Sequence, residues 1–83
     1  MRHLFKAAAI TDQLMDNRDA VRRLLGVKYA ERVGPVRVVL RAMAETLHKS
    51  LVDCALEAAE KLDAAGQDPS LIFCALVEEI ENQ

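Results

Sequence analysis

Several kinds of residue are scarce in this 83-residue chain, and their scarcity excludes a β-sheet protein. It contains three glycines, two prolines, one tyrosine, two phenylalanines and no tryptophan. The apolar 52% therefore consists mostly of alanine and leucine, which favour helices, with few residues that interrupt them. The composition predicts an all-α fold of one domain, residues 1–83, near the size at which a single core gives little stability and oligomerisation often helps.

Cysteine and long apolar runs are also scarce. Cys54 and Cys74 form neither a disulfide framework nor a CxxC motif, and both lie in apolar segments, so we expect reduced core thiols. The apolar run near the N-terminus is short and is broken by Lys6, and no stretch has the length of a transmembrane helix. We therefore expect a cytoplasmic protein of bacterial or phage-like origin, and we expect it not to bind a membrane.

Residues that carry catalytic chemistry are few and isolated. His3 and His48 have no cysteine or carboxylate at a spacing that would form a metal site or activate a nucleophile. No glycine-rich phosphate loop is present. We expect no enzyme activity, no metal, no cofactor and no small-molecule substrate.

Charge, in contrast, is abundant and divided unevenly. Residues 18–41 carry seven basic and two acidic side chains, whereas residues 42–83 carry two basic and nine acidic ones. The cations recur four residues apart as Arg18/Arg22, Lys28/Arg32 and Arg37/Arg41, a spacing at which like charges repel on a helix.

Three explanations of these cations remain open. They could form ion pairs with the acidic half, within the chain or across a dimer; they could contact another protein; or they could follow nucleic-acid phosphates. Cations near a helix N-terminus also oppose the helix dipole, so we expect an acidic group near Arg37. The predicted partner-binding residues are Arg18, Arg22, Arg23, Lys28, Tyr29 and Arg32.

The clearest predicted element is one long helix over residues 35–65. Gly34-Pro35 is a typical start and Gly66 a typical end. Between them, the apolar residues repeat every 11 positions, a period that keeps an apolar stripe straight along a helix. The stripe comprises Val36, Leu40, Met43, Leu47, Leu51, Cys54, Ala58, Leu62 and Ala65.

Three further helices are predicted around the long one. The first covers residues 3–25 with a kink near 16, a short connecting helix lies near 27–33, and the last covers 69–82 with Asp68 as its cap. The last helix begins with seven consecutive apolar residues, 71–77, and a helix that is apolar all round needs neighbours all round. We therefore predict a homodimer whose interface contains Leu71, Ile72, Phe73, Leu76, Val77 and Ile80.

The functional expectation follows from these features. With no catalytic motif, the chain is predicted to be a small non-enzymatic interaction module that acts as an adaptor, regulator or inhibitor of a larger complex. The alternative is a nucleic-acid-binding regulator that uses the basic segment 18–41.

Overall fold

The fold is all-α, as the sequence predicts. The computed structural model describes the backbone of residues 7–82 and the side chains of residues 12–82. Within that range the chain forms four helices and no strand: α1 (Ala7–Leu25), α2 (Lys28–Leu47), α3 (Leu51–Ala64) and α4 (Ser70–Glu81). The predicted start of the first helix at residue 3, and with it His3, lies outside the described residues. None of the described helices is long and apolar enough to cross a membrane.

The last helix, α4, is the centre of the fold. It packs against α1, α2 and α3, whereas α1 and α3 do not pack against each other. Cys74, Ala75 and Leu76 are at most 1% exposed, and they meet Val33 and Leu40 of α2 in the core. The apolar run 71–77 is thus largely surrounded by the chain's own helices, so it does not by itself call for a second subunit.

The predicted single helix over 35–65 is wrong, because the chain turns between residues 47 and 51. His48 adopts the left-handed conformation (φ 53°) after α2 ends. Ser50 then caps α3, where its hydroxyl accepts a hydrogen bond from the Asp53 N–H at 3.1 Å. This local cap outweighs the regular 11-residue spacing, and the two halves of the stripe become two helices that both pack on α4.

The Gly34-Pro35 pair lies inside α2 and does not start a helix. Proline removes one intrahelical donor and clashes with the Cβ of the preceding residue, but Gly34 has no Cβ. Val33 and Leu40, each 1% exposed, bury this part of the helix against the core and favour its continuation. The short helix predicted near 27–33 is therefore the beginning of α2.

The first and last described helices differ less from the prediction than the central ones. α1 is one uninterrupted helix through residue 16, so the predicted break there is wrong and the predicted kink stays a prediction. Asn17 does not cap a new segment; its side-chain amide instead donates to the Ser70 carbonyl oxygen at 3.4 Å. The last helix begins one residue later than predicted, and the Asp68 carboxylate accepts a hydrogen bond from the Ser70 N–H at 2.9 Å.

Candidate interaction surfaces

Arg18 is a buried ion-pair residue. Its guanidinium donates to Glu81 at 2.7 Å, to Glu78 at 3.2 Å and to Asp19 at 2.9 Å. The hydrogen bond to Glu81 is the largest cause of a raised pKa of Arg18, and it outweighs the opposing effect of burial. With its side chain 7% exposed, Arg18 joins α1 to α4 and offers almost no surface to a partner.

Glu78 collects three donors from α1 and α2. Besides Arg18, its Oε2 accepts from Arg22 at 2.9 Å and from the Tyr29 hydroxyl at 2.7 Å. Burial raises the pKa of Glu78, but these donors together outweigh it and hold the pKa below its ordinary value. The Arg22 guanidinium also lies over the Tyr29 ring, 5.2 Å from its centroid, a cation–π arrangement. Burial and the bond to Glu78 raise the pKa of Tyr29.

Glu79 binds the third pair of cations. Its oxygens accept from Arg37 Nε at 2.7 Å and from Arg41 at 2.9 and 3.0 Å. Hydrogen bonds from Arg41 and then Arg37 lower the pKa of Glu79 to about 2, against the effect of burial. The expectation of an acidic group near Arg37 is confirmed.

Four of the seven cations in 18–41 are therefore bound by carboxylates of α4. Among the predicted partner-binding residues, the structure brings Arg18, Arg22 and Tyr29 together in one internal network. Arg23, Lys28 and Arg32 are exposed and form no ion pair with any described residue.

The residues predicted for a dimer interface are divided between interior and surface. Leu76 and Val77 are buried, Leu71 and Ile72 pack against the core from its edge, and Phe73 is half-buried. Ile80 is exposed and lines a small depression between α1 and α4 with Leu14, Met15, Val77 and Glu81. The dimer itself stays a prediction.

An apolar surface that sequence reasoning missed runs along α2. Val38 is 63% exposed, Val39 57% and Leu47 49%. They belong to a shallow depression of about 390 Å³ that has no charged residue in its lining, which consists of Val38, Val39, Ala42, Met43, Thr46 and Leu47. Two adjacent valines were the available signal. Val39 extends the face of residues 36, 40 and 43, but Val38 lies on the opposite side of the helix, so one face cannot bury both valines.

Among the described residues, no three His, Cys, Asp or Glu side chains are placed to hold a metal ion. Cys54 and Cys74 are buried and unpaired, and burial raises the pKa of the Cys74 thiol, which disfavours a reactive thiolate.

No protein-family model matches the chain, and comparisons with curated proteins and with solved structures gave no match. Its function therefore has to be inferred from its own surfaces.

Proposed function

We propose that this protein is a small non-enzymatic interaction module that binds a larger cytosolic protein through the apolar depression on α2, acting as an adaptor, regulator or inhibitor. The observation that carries the proposal is the exposure of Val38, Val39 and Leu47 around a depression without charged lining residues. Contiguous exposed apolar surface of this kind typically marks a binding site.

The position of the depression supports this proposal. It lies on α2, which is held from its other side by Val33 and Leu40 in the core and by the ion pairs of Arg37 and Arg41 with Glu79. A partner would therefore meet a surface fixed in advance, and binding would cost little ordering of the helix backbone.

The alternative of nucleic-acid binding is less well supported, because Glu78, Glu79 and Glu81 bind four of the seven cations. Releasing Arg18 to a phosphate would also break its ion pairs with Glu78 and Glu81, which join α1 to α4. Of the seven, only Arg23, Lys28 and Arg32 remain without ion pairs to described residues, a small number for a phosphate-binding surface.

Homodimerisation also remains part of the proposal. Its support now comes from exposed side chains such as Ile80 and not from the run 71–77 as a whole, since the chain's own helices bury much of that run.

A photo-reactive residue placed at Val39 tests the proposal in native host cells. We expect it to crosslink to one protein, and we expect little crosslinking from the same group at exposed Gln67 on the α3–α4 connection. Leu47→Ser should reduce the crosslinked yield from Val39 without loss of stability, since Leu47 is half exposed. Equal crosslinking from positions 39 and 67, or a yield unaffected by Leu47→Ser, would contradict the proposal.

A further inference from the structure

The most exposed apolar side chains of the described chain lie at the turn between α1 and α2. Leu24 is 83% exposed and Val27 is 93% exposed, on either side of Gly26. Gly26 has φ +56°, a conformation that glycine adopts without strain and that reverses the chain within two residues. The tight turn leaves both aliphatic side chains pointing away from the core.

Three exposed cations surround these two side chains. Arg23 precedes Leu24, Lys28 follows Val27, and Arg32 lies one helical turn beyond Lys28. Lys28 and Arg32 repel each other, and Lys28 at the N-terminus of α2 also opposes the helix dipole. No described carboxylate forms an ion pair with the three cations, so they contribute no ion pair to the fold there. We call Arg23, Leu24, Val27, Lys28 and Arg32 the tip.

A surface of opposite charge lies on α3. Val52 and Leu56 are 42% and 47% exposed, although they belong to a helix whose other side is in the core. At 3.6 residues per turn they share an arc of about 100° with three exposed acids, Asp53, Glu60 and Asp63. We call Val52, Asp53, Leu56, Glu60 and Asp63 the acidic face.

The acids of this face also lack ion-pair partners among the described residues. Asp53, Glu60 and Asp63 form no ion pair with a described residue, whereas the neighbouring Glu57 is bound by Lys49. Asp63 lies in the last turn of α3, where a negative charge opposes the helix dipole.

We propose that the tip of one chain docks on the acidic face of a second copy, so that the protein associates head to tail. Each surface combines two exposed aliphatic side chains with three charges, and the charges of the two surfaces are opposite. Among the described residues, no cation of the tip forms an ion pair with an acid of the acidic face, so both surfaces are open to a second molecule. Such an interface is heterologous, and it continues from copy to copy unless it closes into a ring.

A second copy fits the tip better than the other anionic candidates do. Nucleic acid offers phosphates to the cations but no apolar surface to Leu24 and Val27. Acids on the same molecule would repel nucleic acid and anionic lipid, whereas the acidic face of another copy supplies both the apolar surface and the charge.

Sedimentation velocity over a range of concentrations at low salt tests the inference. We expect the weight-average mass of the wild-type chain to rise with concentration beyond that of a dimer, and added salt to reduce it. Leu24→Ser/Val27→Ser and Val52→Ser/Leu56→Ser should each abolish the rise. These residues are exposed, so both variants should keep the wild-type helix content by circular dichroism.

The decisive experiment mixes the tip variant, Leu24→Ser/Val27→Ser, with the face variant, Val52→Ser/Leu56→Ser. The tip variant keeps its acidic face and the face variant keeps its tip, so one intact interface remains. One head-to-tail contact then forms per pair, so the mass of the mixture should reach a plateau and not continue to rise with concentration. When Lys28→Glu/Arg32→Glu is mixed with Glu60→Lys/Asp63→Lys, by contrast, the charges are complementary at both contacts, so this mixture should rise in mass although neither variant associates head to tail alone.

The control keeps this inference separate from the proposed function. Val38→Ser/Val39→Ser replaces two valines that are also exposed, but that belong to the α2 depression, and it should leave self-association unchanged. A wild-type chain that stays monomeric at high micromolar concentration would overturn the inference, as would a mixture of the two serine variants whose mass keeps rising with concentration. Binding of that monomer to anionic vesicles or duplex DNA through the tip would likewise overturn it and assign the tip another occupant.

Discussion

Replacing Glu79 by glutamine should destabilise the fold measurably at neutral pH. The carboxylate lies between Arg37 and Arg41, and its side chain is only 8% exposed. Glutamine keeps the size of the side chain and one oxygen acceptor but removes the charge that both arginines bind. The variant therefore isolates the electrostatic part of the contact between α2 and α4.

The size of the effect follows from the pKa. Lowering the pKa of Glu79 from 4.5 to about 2 corresponds to about 3 kcal/mol of favourable interaction with the ionised form. Water screens part of this interaction because the Arg41 side chain is 56% exposed. We therefore expect Glu79→Gln to lower the free energy of unfolding by about 1–3 kcal/mol at pH 7.

The pH dependence has a defined sign. Because the pKa is lower in the folded state, the contribution of Glu79 is complete above the ordinary pKa of 4.5 and is lost as the pH falls towards 2. The difference in the free energy of unfolding between wild type and Glu79→Gln, measured with urea, should thus be large at pH 7 and should decrease below pH 4.5. Glu60→Gln, which removes an exposed carboxylate, is the matched control and should change little. Equal stability of wild type and Glu79→Gln at pH 7, or a difference that does not shrink in acid, would refute this reasoning.

Three further effects on stability are expected, each measured by urea unfolding at neutral pH. Arg18→Gln should cost about 1–3 kcal/mol because it removes the charge-assisted hydrogen bonds that join α1 to Glu78 and Glu81 of α4. Arg23→Gln should stay within about 0.5 kcal/mol, and equal losses would mean that Arg18 does not stabilise the fold. Leu76→Ala should cost about 2–5 kcal/mol because the Leu76 side chain is fully buried, and Leu47→Ala should cost clearly less because Leu47 is half exposed. A larger loss for Leu47→Ala would mean that Leu76 is not in the core. Ser50→Ala should cost about 1 kcal/mol through the lost cap of α3, and an unchanged midpoint would show that the cap does not stabilise α3.

The sequence predicted the last helix well because its signals are local. Asp68 and Pro69 mark its start within one residue, and the apolar run that follows predicted burial, which is full for residues 74–77 and partial for residues 71–73. What the run could not show was the source of that burial. Seven consecutive apolar residues fit a dimer interface as well as a central helix, and only the packing of α1, α2 and α3 around α4 distinguishes the two.

The central helices were predicted wrongly because two regular patterns outweighed one short signal. Gly34-Pro35 resembles a helix start, and the 11-residue spacing continues through residues 48–50 without a gap. The Ser50-x-x-Asp53 spacing is a recognisable cap signal, and it marks the true start of α3. Weighing that cap against the periodicity would have divided the predicted helix at the observed place.

The i,i+4 spacing of the cations in residues 18–41 does not show which of them form ion pairs. Their i,i+4 spacing indicated mutual repulsion and hence a need for acidic groups, and the structure supplies Glu78, Glu79 and Glu81 for four of them. The sequence has the same spacing at Lys28/Arg32, where no described carboxylate is bound. The difference arises from the face of the helix: Tyr29 in the same turn of α2 contacts Glu78, whereas Lys28 and Arg32 lie on the exposed side.

The most direct test of the proposed interaction is the salt dependence of the affinity for the partner captured at Val39. If the partner is held by the apolar depression on α2, its Kd should change little between low and high salt, because apolar burial is not screened. If instead the exposed cations Arg23, Lys28 and Arg32 held a nucleic acid, the affinity would fall with a log–log slope of about −3. We predict a nearly constant Kd. A steep fall of the affinity with added salt, together with loss of binding after nuclease treatment, would contradict the account.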